Sequence, residues 1–180
     1  AEVNSDEYKK SGGDIEVLQL WLNLPARLKM TEPFYVGKQQ DEIPVVEQDN
    51  ARIQVHAGEW NGTKGAFETI TDIHIATLHL HEGADVSTSI SADRNIFFYL
   101  LNGEVEVNGS TVRGRQLVEF DFEGEELNIK AGEDSRLIVG HGKPFNEPIA
   151  AHGPFVMNTT QEIYEAFEDY QAGKFGVWPQ

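Results

Sequence analysis

Two Asn-Gly pairs six residues apart constrain this chain more than any other feature. They lie in the stretch Ile96-Phe-Phe-Tyr-Leu-Leu-Asn-Gly-Glu-Val-Glu-Val-Asn-Gly-Ser-Thr-Val112. Asn-Gly between strand-like runs favours a two-residue type I′ turn, because both central positions of that turn need positive φ. Six apolar or aromatic residues precede Asn102-Gly103, and Glu104-Val105-Glu106-Val107 alternates before Asn108-Gly109. Two such turns in succession predict a tight β-meander.

The flanking chain continues the strand pattern. Asp72–His81 alternates, with Ala76, Leu78 and Leu80 on one face and Thr77, His79 and His81 on the other. Arg52–Ala57, Val86–Ile90, Gln116–Phe122, Glu126–Ala131 and Arg136–Val139 read as further short strands between Gly-rich turns. Residues 1–14 read as a loose polar arm, and 26–50, with Pro33 and Pro44, as an extended connector. Ile15–Leu24 reads as a strand so apolar that it needs cover on both faces, and left unpaired it would be an adhesive edge. One helix is expected near the end. Thr159-x-x-Glu162 forms a capping box, Ile163, Ala166, Phe167 and Tyr170 make an apolar stripe, and Gly173 is the stop. Many short strands followed by one helix predict an all-β sandwich or barrel with a C-terminal α-helix.

Charge and composition narrow the function classes. A formal net charge of −16 opposes direct binding to nucleic acid or to an anionic membrane face. The sequence has no cysteine, which removes disulfides, thiolate chemistry and zinc–thiolate sites. It has no apolar run long enough to span a bilayer and no visible signal peptide, so the expectation is a cytoplasmic protein without a membrane anchor. Phosphate-binding loops, HExxH and GxSxG are absent. The clusters Asp41-Glu42, Glu123–Glu126 and Glu162–Asp169 read as solvated acidic faces.

The glycines meet a second pattern. Gly83, Ser89-Ile90-Ser91, Ile96 and Gly103 follow the spacing of the first motif of cupins, the small jelly-roll barrels, and Gly124, Lys130-Ala131-Gly132 and Ser135 follow the second. The chain also resembles the pirin family of cupins over nearly its whole length. The resemblance rests on Gln19-Leu-Trp-Leu-Asn-Leu-Pro25, Gly142-Lys-Pro-Phe-Asn-Glu-Pro148, His152-Gly-Pro-Phe-Val-Met-Asn-Thr159 and Gly173-Lys-Phe-Gly176. It implies a two-cupin parent in which the N-terminal cupin binds iron through His-x-His and a later His-x-Glu, while the C-terminal cupin is usually metal-free. It further implies either quercetin-cleaving dioxygenase chemistry or partnership with transcription regulators. On this resemblance, residues 1–30 are an arm and orphan strand left from the N-terminal cupin, 31–157 the C-terminal cupin barrel, and 158–180 the terminal helix and tail.

The departure from the cupin pattern carries the functional expectation. Ser89, Ser91, Ile96 and Ser135 occupy the vestigial ligand positions; hydroxyls are poor ligands for a divalent transition metal and isoleucine offers no donor. Glu2 is the one remnant of the family's iron set, with iron implied only where a complete N-terminal cupin is present. His79 and His81 share a strand face and form a weak candidate pair, in the wrong frame for the cupin motif and with no carboxylate assigned. No catalytic residue and no cofactor are assigned to this chain. The expectation is therefore a pirin-like, non-catalytic interaction or regulatory module with a protein partner, forming a homodimer through Ile15–Leu24. The alternative is a metal-dependent, quercetin dioxygenase-like enzyme whose metal site comes from another half or a partner chain. A small-ligand binder using a metal-free barrel pocket is the third option.

Overall fold

The computed structural model describes residues 5–176. They fall into two units, one of Pro33–Phe145 and one that joins the chain up to Glu32 with the chain from Asn146 onward. Residues 146–157, expected in the barrel, thus group with the C-terminal helix.

The larger unit is a jelly roll. In chain order its strands are β1 (Val45–Gln48), β2 (Ala51–Ala57), β3 (Glu59–Trp60), β4 (Thr63–Lys64), β5 (Ile73–Leu80), β6 (Asp85–Ser89), β7 (Asn95–Asn102), β8 (Glu104–Val107), β9 (Ser110–Arg113), β10 (Gln116–Val118), β11 (Glu126–Ala131) and β12 (Ser135–Gly142). Six of them form a sheet in the order β1-β2-β5-β12-β7-β10, and four form a second sheet in the order β6-β11-β8-β9. The expected alternation holds on β5, where Ala76, Leu78 and Leu80 are buried while Ile75, Thr77 and His79 are half-buried. The same period buries Val86, Leu127, Ile129, Val105 and Val107 from the second sheet and Ile53, Val55, Phe98, Leu100, Leu137 and Val139 from the first. One apolar core fills the interior between the two sheets.

The meander is corrected by this topology. Asn108-Gly109 is the expected turn, with both residues at positive φ and Val107 paired with Ser110. Asn102-Gly103 is not a hairpin. β7 pairs with β12 and β10, whereas β8 pairs with β9 and β11, so the chain changes sheets at Gly103. Gly103 has φ 92°, and a Cβ there would press on Ser135 and on the Asp134 carbonyl. Glycine is required at this corner for close approach of the two backbones as well as for its φ. Part of the expected connector is also a hairpin. Asp49 and Asn50 take positive φ and join β1 to β2 without any glycine.

The smaller unit opens with a short helix α1 (Asp6–Ser11), where a loose arm was expected, and has a 3-10 turn at Ala26–Leu28. The segment expected to be a strand, Ile15–Leu24, forms none and joins no ladder. The His152-Gly-Pro-Phe block makes a hairpin of β13 (Ala150–His152) and β14 (Phe155–Met157), with Gly153 at positive φ. Helix α2 (Thr160–Gln171) follows, and its ends are as the sequence predicts. Thr159 and Glu162 exchange the capping-box hydrogen bonds, and Gly173, at φ 75°, donates to Tyr170 while Lys174 donates to Asp169. That pair of bonds satisfies the last carbonyls as a Schellman motif does. Ile163 is buried, and Phe167 stands edge-on to Phe155 at 4.9 Å. No helix among the described residues is long and apolar enough to cross a membrane.

Candidate functional site

The four cupin ligand positions do not converge. On β6 the inward residues are Val86 and Thr88, followed by the buried Ile90, so Ser89 and Ser91 are exposed on the outer side. A strand has a side-chain period of two, and a frame set by glycine spacing alone selected the wrong parity. Ile96 does face the core and packs against it. Ser135 is 5% exposed, and its hydroxyl lies 2.8 Å from the Glu133 carbonyl and 3.1 Å from that of Glu104. Those bonds fix the corner opposite Gly103 and leave no hydroxyl turned to a ligand. Glu2 lies outside the described residues.

His79 and His81 are separated by their surroundings. His79 stands in register between Arg52 on β2 and Arg136 on β12. Burial, then the charges of Arg136 and Arg52, push its pKa below the usual histidine value. Two flanking guanidinium groups that disfavour imidazolium also disfavour a divalent cation. His81, past the strand end and exposed, has Nδ1 3.4 Å from Asp134, whose other oxygen accepts the Glu82 N–H at 3.0 Å. Among the described residues no group of three or more His, Asp or Glu could hold a metal ion. No set among the described residues of this jelly roll fits iron, which the resemblance places only in a complete N-terminal cupin.

A polar network missed in the sequence closes one end of the six-stranded sheet. His74 on β5 and His141 on β12 are register partners, and their rings stack at 4.3 Å. Both continue the inward parity of Ala76 and Val139. Arg94, its side chain 9% exposed, donates through Nε to His141 Nδ1 at 2.7 Å and through both terminal nitrogens to Asp72 at 2.6 and 2.9 Å. His74 Nδ1 lies 3.0 Å from the Glu59 backbone nitrogen and 3.1 Å from the Glu59 carbonyl oxygen, and its Nε2 lies 3.2 Å from Asp72. Burial, then the neighbouring His74 and Arg94, lower the His141 pKa to about 4. The Arg94 hydrogen bonds are the main reason Asp72 is held at about 2. The network thus holds a guanidinium between a carboxylate and a neutral imidazole. It offers no free nucleophile, and its positive centre opposes a metal. Four residues from three distant stretches build it, and no local spacing announces them.

This network gives the jelly roll an acid limit. A neutral buried histidine resists protonation that the unfolded chain accepts, so stability is full above pH 6.5 and falls as the pH drops toward about 4. Discounted for partial solvent exposure, the contribution is about 1–2 kcal/mol. Asp72 acts in the same direction at lower pH, from 3.8 down to about 2. Urea midpoints measured between pH 7 and pH 4 should fall for the natural chain and fall less for His141→Gln, whose amide oxygen still accepts from Arg94. Equal slopes for the two proteins would remove His141 as the cause.

Beside Arg94 lies a shallow crevice open to solvent. Ile90, Ile96, Phe120 and Leu127 make its apolar wall, while Asp121 and Glu123 stand at its acidic rim.

Comparison with known proteins agrees with this architecture. Residues 75–176 match the family model described as the pirin C-terminal cupin domain. A Thermoplasma acidophilum protein provisionally named quercetin 2,3-dioxygenase is 33% identical, covering 94% of this chain and 69% of its own length. A pirin-like protein of Caulobacter vibrioides is 34% identical, covering 96% of this chain and 63% of its own length. The crystal structure of a quercetin 2,3-dioxygenase from Acinetobacter baumannii superposes with a TM-score of 0.82 at 34% identity, over 87% of this chain and 56% of that one. This chain therefore spans between about half and two-thirds of the length of such relatives. Two facing sheets, a capped terminal helix and the matched C-terminal cupin domain place the chain in the pirin family.

Proposed function

We propose that this chain is a non-catalytic interaction or regulatory module of the pirin family. The observation that carries the reading is the filled interior. Phe98, Ile53, Leu78, Leu100, Leu127, Ile129 and Leu137 are fully buried and fill the space between the two sheets with side chains that offer no metal donor. Ser135 is hydrogen-bonded to carbonyls and His141 Nδ1 to Arg94. At a formal charge of −16 its partner is a protein rather than a nucleic acid. A cytoplasmic setting suits a chain without cysteine.

The second reading is a flavonol-cleaving, metal-dependent dioxygenase whose metal site lies in another segment or chain. It is favoured by the names of the Thermoplasma and Acinetobacter relatives, both longer than this chain. Elemental analysis of untagged protein, with oxygen uptake on quercetin, separates the two. The first reading expects less than stoichiometric metal and no quercetin-dependent uptake. Stoichiometric iron or nickel with turnover by this chain alone overturns it.

A further inference from the structure

Three asparagines in the chain are followed by glycine: Asn61, Asn102 and Asn108. Such a pair is chemically labile, because glycine has no side chain to keep its backbone nitrogen away from the asparagine Cγ. All three asparagines are exposed to water, and the shared glycine gives them similar intrinsic reactivity. The fold therefore decides among them. Asn61 Nδ2 donates to the Ser87 carbonyl at 3.0 Å, and its Oδ1 accepts from Thr88 Oγ1 at 3.1 Å. Asn108 Nδ2 donates to the Glu126 carbonyl at 3.0 Å, and its Oδ1 accepts the Asn128 N–H at 2.8 Å. Asn102 ends β7, and its side chain makes no hydrogen bond among the described residues. We propose that Asn102 is a site of spontaneous covalent modification, by deamidation and isomerisation, in the folded protein.

The chemistry needs only water. The Gly103 nitrogen gives up its proton to solvent and attacks Asn102 Cγ. The bond from Cγ to the side-chain nitrogen breaks, ammonia leaves, and a cyclic succinimide closes. Water then adds to either carbonyl of the ring and opens it to aspartate or isoaspartate. No oxidant or reductant enters, and the net change is an amide exchanged for a carboxylate. The first step requires the side-chain amide to swing toward the main chain. At Asn61 and Asn108 that swing breaks a donor bond and an acceptor bond, whereas at Asn102 it breaks none. The crowding at Gly103 is where a Cβ would stand, a position that glycine leaves empty. The place of Asn102 gives the modification a consequence. Asn102 is paired with Arg136 of β12, and the Gly103 carbonyl accepts the Gly114 N–H at 3.0 Å. Isoaspartate routes the main chain through the side chain and so lengthens it between those two anchors, at the corner where the chain changes sheets. The same change at Asn108 alters only a hairpin turn.

Peptide mapping by mass spectrometry, on folded protein kept for several weeks at mildly alkaline pH, tests the proposal. The expected result is a mass gain of about one dalton at Asn102. It should accumulate there about fivefold faster, or more, than at Asn61 or Asn108, whose hydrogen bonds must open first. In concentrated urea the three sites should convert at similar rates. Thr88→Val removes one of the bonds that hold Asn61 and should speed conversion there severalfold without changing Asn102. Asn102→Gln should remove the principal aged species and keep the urea midpoint of aged protein near that of fresh protein. Conversion of Asn61 or Asn108 as fast as Asn102 in the folded chain overturns the proposal. So does an Asn102 that stays intact in the fold while it converts in urea, or a ranking in urea that matches the one in the folded chain.

Discussion

Replacing Phe98 with alanine should destabilise the protein by about 3–5 kcal/mol and lower its melting temperature by on the order of 10 °C. Phe98 is 0% exposed at the centre of β7. It pairs with Val139 on one side and Val118 on the other, and its ring lies 6.2 Å from that of Phe120. Removing it leaves a cavity between sheets tied by their own ladders and unable to close over the gap. Urea and thermal unfolding measure the cost. Leu117→Ala, on the exposed side of β10, is the control and should change stability by no more than about 0.5 kcal/mol. A loss below about 1 kcal/mol at Phe98 would mean that the interior is not packed to crystal-like density, and would reopen a ligand cavity there.

The second large effect separates two glycines that look alike. Gly103→Ala should cost about 3–4 kcal/mol, whereas Gly109→Ala should cost about 1–2. Both have left-handed backbone, with φ 92° and 84°. A Cβ on Gly109 meets nothing within 4 Å, while one on Gly103 meets the Asp134 carbonyl and the Ser135 Cα at 2.7 Å, with the Ser135 hydroxyl closer still. Chemical denaturation of the two variants under one set of conditions gives the difference directly. Equal losses would mean that backbone conformation alone sets the price of both positions, and that the sheet-changing corner has room to spare.

These glycines also mark the limit of what the residues alone could disclose. Local signals sufficed wherever structure was local. The alternation of Asp72–His81, the Asn108-Gly109 turn and the Thr159–Glu162 cap each use neighbours within a few positions. Asn102-Gly103 carries the same signal as Asn108-Gly109, yet its strands belong to different sheets, and only the pairing of β7 with β12 reveals that. The Asp49-Asn50 turn lacked the glycine that usually advertises positive φ. Ile15–Leu24 has strand chemistry, but a strand needs a partner, and none of the described residues supplies it. The candidate site was the least legible part. Glycine spacing fixed the approximate depth of Ser89 and Ser91 in the fold but missed their side-chain parity by one residue. The Asp72–Arg94–His141–His74 network joins positions up to 69 residues apart (141 − 72).

The place of β12 in the six-stranded sheet also governs how this protein can be made. It lies between β5 and β7, although it is the last strand of the sheet to leave the ribosome. Until Ser135–Gly142 has emerged, β5 and β7 each keep an open edge facing the gap that β12 will fill, and Phe98, Leu78 and Leu100 lack their neighbours Leu137 and Val139. Vectorial synthesis therefore holds the nascent chain in an adhesive, half-built state from the emergence of β5 until that of β12, while the local β8–β9 hairpin is free to form early. A pause or truncation shortly before residue 135 should be met by chaperones, whereas one after Gly142 should release a sheet with its central seam already closed.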